Sequence, residues 1–74
     1  MNTVFLRDGH IVIHYDYHGK LHDNDYPIPL SDCNTETRLL QMVYHLSQKT
    51  WITPELLTQF IKLACEENRL TSPL

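Results

Sequence analysis

The dipeptide Asp8-Gly9 lies between two runs of β-formers, Val4-Phe5-Leu6 and Ile11-Val12-Ile13. A two-residue hairpin loop of type I′ needs positive φ at both central positions, and Asp-Gly supplies it at low steric cost. This turn predicts a register in which Arg7 faces His10, Phe5 faces Val12 and Thr3 faces His14. Side chains alternate across a strand, so Val4, Leu6, Ile11, Ile13 and Tyr15 should share one face that needs a cover. Phe5, Arg7, His10, Val12, His14, Asp16, His22 and Asn24 should line the other, toward solvent or a partner.

A second turn is expected at His18-Gly19-Lys20, with Gly19 in the left-handed position of a bulged loop. It would set Tyr17 opposite Leu21 and Asp16 opposite His22. The third extended segment carries Pro27 and Pro29, which remove ladder donors, and reads as an edge strand or an extended connector.

From residue 34 the period changes from 2 to 3.6. Asp32 or Asn34 can cap a first helix, in which Leu39, Met42, Val43 and Leu46 form an apolar stripe. The second helix starts at Ile52-Thr53-Pro54-Glu55. Thr53 can accept from an orphan N–H, Pro54 fits the first helical position, and Glu55 complements the helix dipole. Ile52 and Leu57 have the spacing of a hydrophobic staple. Leu57, Phe60, Ile61 and Ala64 form the second stripe, widened by Leu56 and Leu63, and Asn68 is the expected stop.

The expected fold is therefore α+β. An antiparallel hairpin or three-stranded meander (about 3–7, 10–17 and 21–28) packs on two C-terminal helices (about 34–49 and 54–67). Helices over one face of an antiparallel sheet bury both sets of apolar side chains. Residues 1–74 are read as a single domain with a frayed tail over 69–74.

A chain of 74 residues buries only about 60% of its unfolded surface, so a homodimer is one expected supplement to the core. A disulfide framework is not expected from two cysteines, Cys33 and Cys65, and the N-terminus lacks the apolar run of a signal peptide. No stretch approaches the roughly 18 apolar residues that span a bilayer. These readings point to a cytoplasmic protein with reduced thiols and no membrane association.

The net charge is −3, and its excess acidity lies in the first half. Asp8, Asp16, Asp23, Asp25 and Asp32 there face only Arg7 and Lys20. Phosphate contacts need a concentrated cationic footprint, so direct nucleic-acid binding is disfavoured. The short connector before Thr53 resembles that of a helix-turn-helix. A base-reading helix would, however, open with Arg, Lys, Asn or Gln, and here Pro54-Glu55-Leu56-Leu57 stands instead.

His10, His14, His18 and His22 recur at every fourth residue. In the hairpin, His14, Asp16 and His22 become neighbours on one face and are the candidate metal ligands, against a reading of them as solvated side chains. Asp23-Asn24-Asp25 lacks the glycine and glutamate of a calcium loop and reads as a polar turn. Cys33 before a helix could have a lowered thiol pKa. The chain contains no GxSxG, P-loop, dinucleotide or HExxH pattern; no catalytic residue and no cofactor are assigned.

Function is thus expected in surfaces. Acidic groups beside tyrosines suit a partner protein with a basic surface, and the residues expected to meet it are Asp8, Tyr15, Asp16, Tyr17, His22, Asp23, Asp25 and Tyr26. An apolar or dimer interface is expected at Trp51, Leu56, Phe60 and Leu63. In general character the chain is similar to small accessory proteins of phages and mobile elements. That resemblance implies stoichiometric inhibition of host machinery, as by anti-CRISPR and other anti-defence proteins. The alternatives are a small helix-turn-helix regulator and a metal- or pH-responsive protein using surface histidines.

Overall fold

The computed structural model describes residues 2–15 and 24–71. Strands β1 (Thr3–Arg7), β2 (His10–Tyr15) and β3 (Asn24–Pro29) form an antiparallel sheet in the order β1-β2-β3. A single 3-10 turn, Leu30–Cys33, leads to helices α1 (Glu36–Ser47) and α2 (Pro54–Asn68). The α+β architecture of a small meander followed by two helices is the one expected. No helix among the described residues is long and apolar enough to cross a membrane.

The first hairpin matches the predicted register residue by residue, with Arg7 opposite His10, Phe5 opposite Val12 and Thr3 opposite His14. Asp8 (φ 52°) and Gly9 (φ 74°) both occupy the left-handed region, as a type I′ turn requires. The His10 ring closes the turn by donating from Nδ1 to the Asp8 carbonyl at 2.8 Å.

The third segment is a true strand, and its prolines are accommodated by parity. The Leu30 N–H bonds to the Gly9 carbonyl at 3.1 Å. Alternation along the strand therefore turns the amide positions of Ile28, Tyr26 and Asn24 toward β2 and those of Pro27 and Pro29 toward the open edge. A proline there sacrifices no ladder bond.

Register between β2 and β3 differs from expectation. The predicted second turn, with Tyr17 opposite Leu21 and Asp16 opposite His22, lies outside the described residues. Extended to its flanks, it would pair His14 with Asn24, whereas His14 faces Asp25 and Tyr15 faces Asn24. A one-residue slip exchanges the faces of a strand. Asn24 accordingly lies on the helix side and Asp25 on the outer side, both within a strand and not in the polar turn expected of Asp23-Asn24-Asp25.

The helices cover Ile11, Ile13 and Ile28 with Leu39, Leu46, Leu56, Phe60 and Ala64. Thr35, and neither Asp32 nor Asn34, caps α1, accepting from the Arg38 N–H at 3.1 Å. The 3-10 turn takes up residues 30–33 and so moves the helix start downstream. Thr53 caps α2 as predicted, accepting from the Leu56 N–H at 3.1 Å, with Pro54 in the first turn.

Helix α2 ends in a left-handed Arg69, after which Leu70 donates to the Cys65 carbonyl at 2.8 Å and packs on the core. This is the bonding of a Schellman close. Residues 69 and 70 are therefore seated where fraying was expected. Asn68 also ties the end of α2 to the 3-10 turn, donating from Nδ2 to the carbonyls of Cys33 (3.0 Å) and Leu30 (3.4 Å).

Candidate interaction surfaces

Three surfaces meet or adjoin the residues singled out above. The first is the outer face of the sheet. Val12 forms its centre, with Phe5 and Pro27 as its cross-strand neighbours. The Arg7 guanidinium lies 5.4 Å from the Phe5 ring centroid and reaches Asp25 at 3.4 Å. His14 donates from Nδ1 to the other Asp25 oxygen at 2.6 Å. The His14 hydrogen bond, with Arg7 beside it, holds the Asp25 carboxyl below its ordinary range. Asp25 is thus engaged within the sheet and is a poorer handle for a basic partner than its sequence position suggested.

Asp8 is exposed at the hairpin tip. Asp16, Tyr17, His22 and Asp23 lie outside the described residues. Of the candidate metal set, only His14 is described, and it is bonded to Asp25. Among the described residues no group of three or more His, Cys, Asp or Glu side chains could hold a metal ion.

The second surface is an aromatic corner on the helix side. Tyr15 stacks on Trp51 with ring centroids 3.8 Å apart and planes within 6°. Tyr26 meets the same indole at 5.5 Å, its hydroxyl hydrogen-bonded to His45 Nε2 at 3.1 Å, and Lys49 lies 5.4 Å from its ring centroid. All three rings are half-buried. Trp51 plugs the open end between sheet and helices, and Tyr15 and Tyr26 face it across the layer from the polar sheet face.

The expected apolar interface is corrected here. Leu56 and Phe60 are fully buried in the core and cannot meet a partner, while Trp51 and Leu63 are only partly covered. The inward face of α2 is rotated relative to the predicted stripe. Leu56, Phe60, Ala64 and Cys65 point to the centre, and Leu57 and Ile61 lie at its margin.

Both cysteines are free and buried. Burial pushes the Cys33 and Cys65 thiols up from their ordinary value. The expected lowering at Cys33 fails because desolvation of a thiolate outweighs the nearby Asn68 donor.

The third surface was not singled out from sequence. Leu40 and Tyr44, one turn apart on α1, are 68% and 71% exposed. They fall beside the stripe of Leu39, Met42, Val43 and Leu46, and that offset was the available signal. Leu40 also edges an open cleft of about 240 Å³ lined by Glu36, Leu39, Leu40 and Thr71. A second cleft of about 400 Å³ lies on another side of α1, between Asp32, Arg38, Gln41, Met42 and His45. Arg38 there is committed to the Ser31 carbonyl at 2.9 Å.

Comparison with known proteins assigns this chain to no family: no family model, curated protein or solved structure matches it.

Proposed function

We propose that this protein is a non-enzymatic interaction module that binds a partner protein through the outward face of α1. The observation that carries the reading is the exposed pair Leu40 and Tyr44 beside the cleft at Glu36 and Thr71. Large apolar side chains left uncovered at helical spacing next to a groove are costly in water and gain free energy when a partner covers them. Glu36 at the groove and the net charge of −3 favour a partner with a basic rim, mainly through the rate of encounter. The mode of action is stoichiometric blocking, in the manner of small inhibitors carried by phages and mobile elements.

The test compares capture of host proteins by the native chain and by a Leu40→Asp, Tyr44→Ala variant. Both positions are mostly exposed, so the variant should keep its circular dichroism spectrum and melting temperature. A single species retained in one-to-one ratio by the native chain and lost by the variant supports the reading. Equal retention by both removes this face from consideration.

A further inference from the structure

We infer that β1 is a docking edge for a second copy of this chain, pairing antiparallel with the β1 of its partner to make a continuous six-stranded sheet. The two edges of the sheet are treated differently by the sequence. On β3, Pro27 and Pro29 occupy the outward amide positions and remove the donors that an added strand would need. On β1 no proline occurs. The two-residue turn makes Arg7 and His10 the closing hydrogen-bonded pair. Parity then turns the backbone N–H and C=O of Val4 and Leu6 away from β2. Among the described residues, no backbone bond outside the sheet engages these groups.

The side chains point the same way. Leu6 is 43% exposed on the helix side, although its cross-strand neighbour Ile11 is completely buried. What Leu6 lacks is a neighbour on its other flank. A two-fold axis beside Phe5 supplies one, setting Val4 against the partner's Leu6 on the helix side. The same axis sets Phe5 against the partner's Phe5 and Arg7 against the partner's Thr3 on the outer side. Apolar groups meet apolar groups, and the two arginines lie at opposite ends of the ladder. Val4 and Leu6 each exchange two backbone hydrogen bonds with their opposite numbers, four in all. This self-complementarity favours a second copy over an unrelated strand, because a symmetric contact must match its own surface.

The association should be weak, since four ladder bonds and three apolar pairs fall at the low end of interface sizes. Sedimentation and amide hydrogen exchange of the full chain, from low micromolar to millimolar concentration, test it. A reversible dimer is expected, with the Val4 and Leu6 amides slowing by about tenfold or more as it forms. Leu6→Lys should stay monomeric at every concentration with its fold intact. Leu6→Pro, which repeats on β1 the device present on β3, should do the same. The Leu40→Asp, Tyr44→Ala variant should dimerise like the native chain, which separates this edge from the α1 face. A chain monomeric throughout, a dimer that survives both Leu6 substitutions, or Val4 and Leu6 amides indifferent to concentration would each overturn the inference.

Discussion

Ile11 and Ile13 on one face of β2 and Val12 on the other are equally inaccessible, at 0%, 0% and 1% exposure. The means differ. The isoleucines lie under two helices and belong to the main cluster with Phe60, Leu46 and Leu56. Val12 lies outside that cluster, with Phe5 and Pro27 flanking it and the Arg7–Asp25–His14 chain on the same face. A second layer of secondary structure covers the isoleucines; among the described residues, Val12 is flanked by side chains of the sheet itself. The first arrangement is tied to the whole fold, the second to its strand neighbours.

The difference is open to substitution, and the largest effect is expected at Ile13. Ile13→Ala should destabilise by about 2–5 kcal/mol in urea unfolding, because the helices above cannot collapse onto the space. A loss below that range would show the helical cover to be loosely packed. Val12→Ala removes two methyl groups at about 0.8 kcal/mol each, and side chains flanking it can settle over the gap more readily than two helices can, so a loss of about 2 kcal/mol is expected. Equal losses at the two positions would erase the distinction between the faces.

Phe5→Ala should cost about 1 kcal/mol or somewhat more, since the ring is only half-buried. Its clearer sign is faster exchange of the Val12 amide relative to that of Ile13.

The smallest effect is a pH dependence confined to the outer face. Asp25 has a lowered pKa in the folded protein, owing first to the His14 hydrogen bond. The unfolded chain therefore takes up this proton at higher pH than the folded one does. Its contribution is present above the ordinary carboxylate value of 3.8 and is lost as pH falls through the lowered value. Melting temperature should decline over that interval in the native chain, and less steeply in Asp25→Asn. Parallel acid limbs in the two proteins would show that the carboxylate adds nothing to this face.

The register slip explains why this outer face was only partly legible. Its β1 and β2 members, Phe5, Arg7, Val12 and His14, follow from Asp8-Gly9 alone. Its β3 members depend on the connection after Tyr15, where the sequence offered a turn one residue out of step with the observed pairing. Asp25 thereby became the partner of His14 in place of Asn24. The alternation rule also treated Val12 as solvent-facing, because a period of 2 distinguishes faces and says nothing of what neighbouring strands place over a side chain.

The candidate surfaces divide in the same way. Trp51, Tyr15 and Tyr26 were conspicuous as aromatics, but only packing showed that the three rings meet one another. Leu40 was inconspicuous, since a Leu39-Leu40 doublet does not reveal which leucine turns inward. Leu56 and Phe60 read as surplus apolar surface until the helix was rotated onto the sheet.

The sequence by itself determined the features whose causes are local. Asp8-Gly9 dictated a hairpin with its register because few residues tolerate two successive left-handed positions. Thr53-Pro54 dictated a helix start because a side-chain acceptor and a missing donor coincide where the helix needs both. The tertiary structure alone decided the β2–β3 register, the displacement of the α1 cap to Thr35, the inward face of α2 and the burial of Val12. Each of these depends on contacts between segments distant in sequence, where several local arrangements lie close in free energy and packing selects among them.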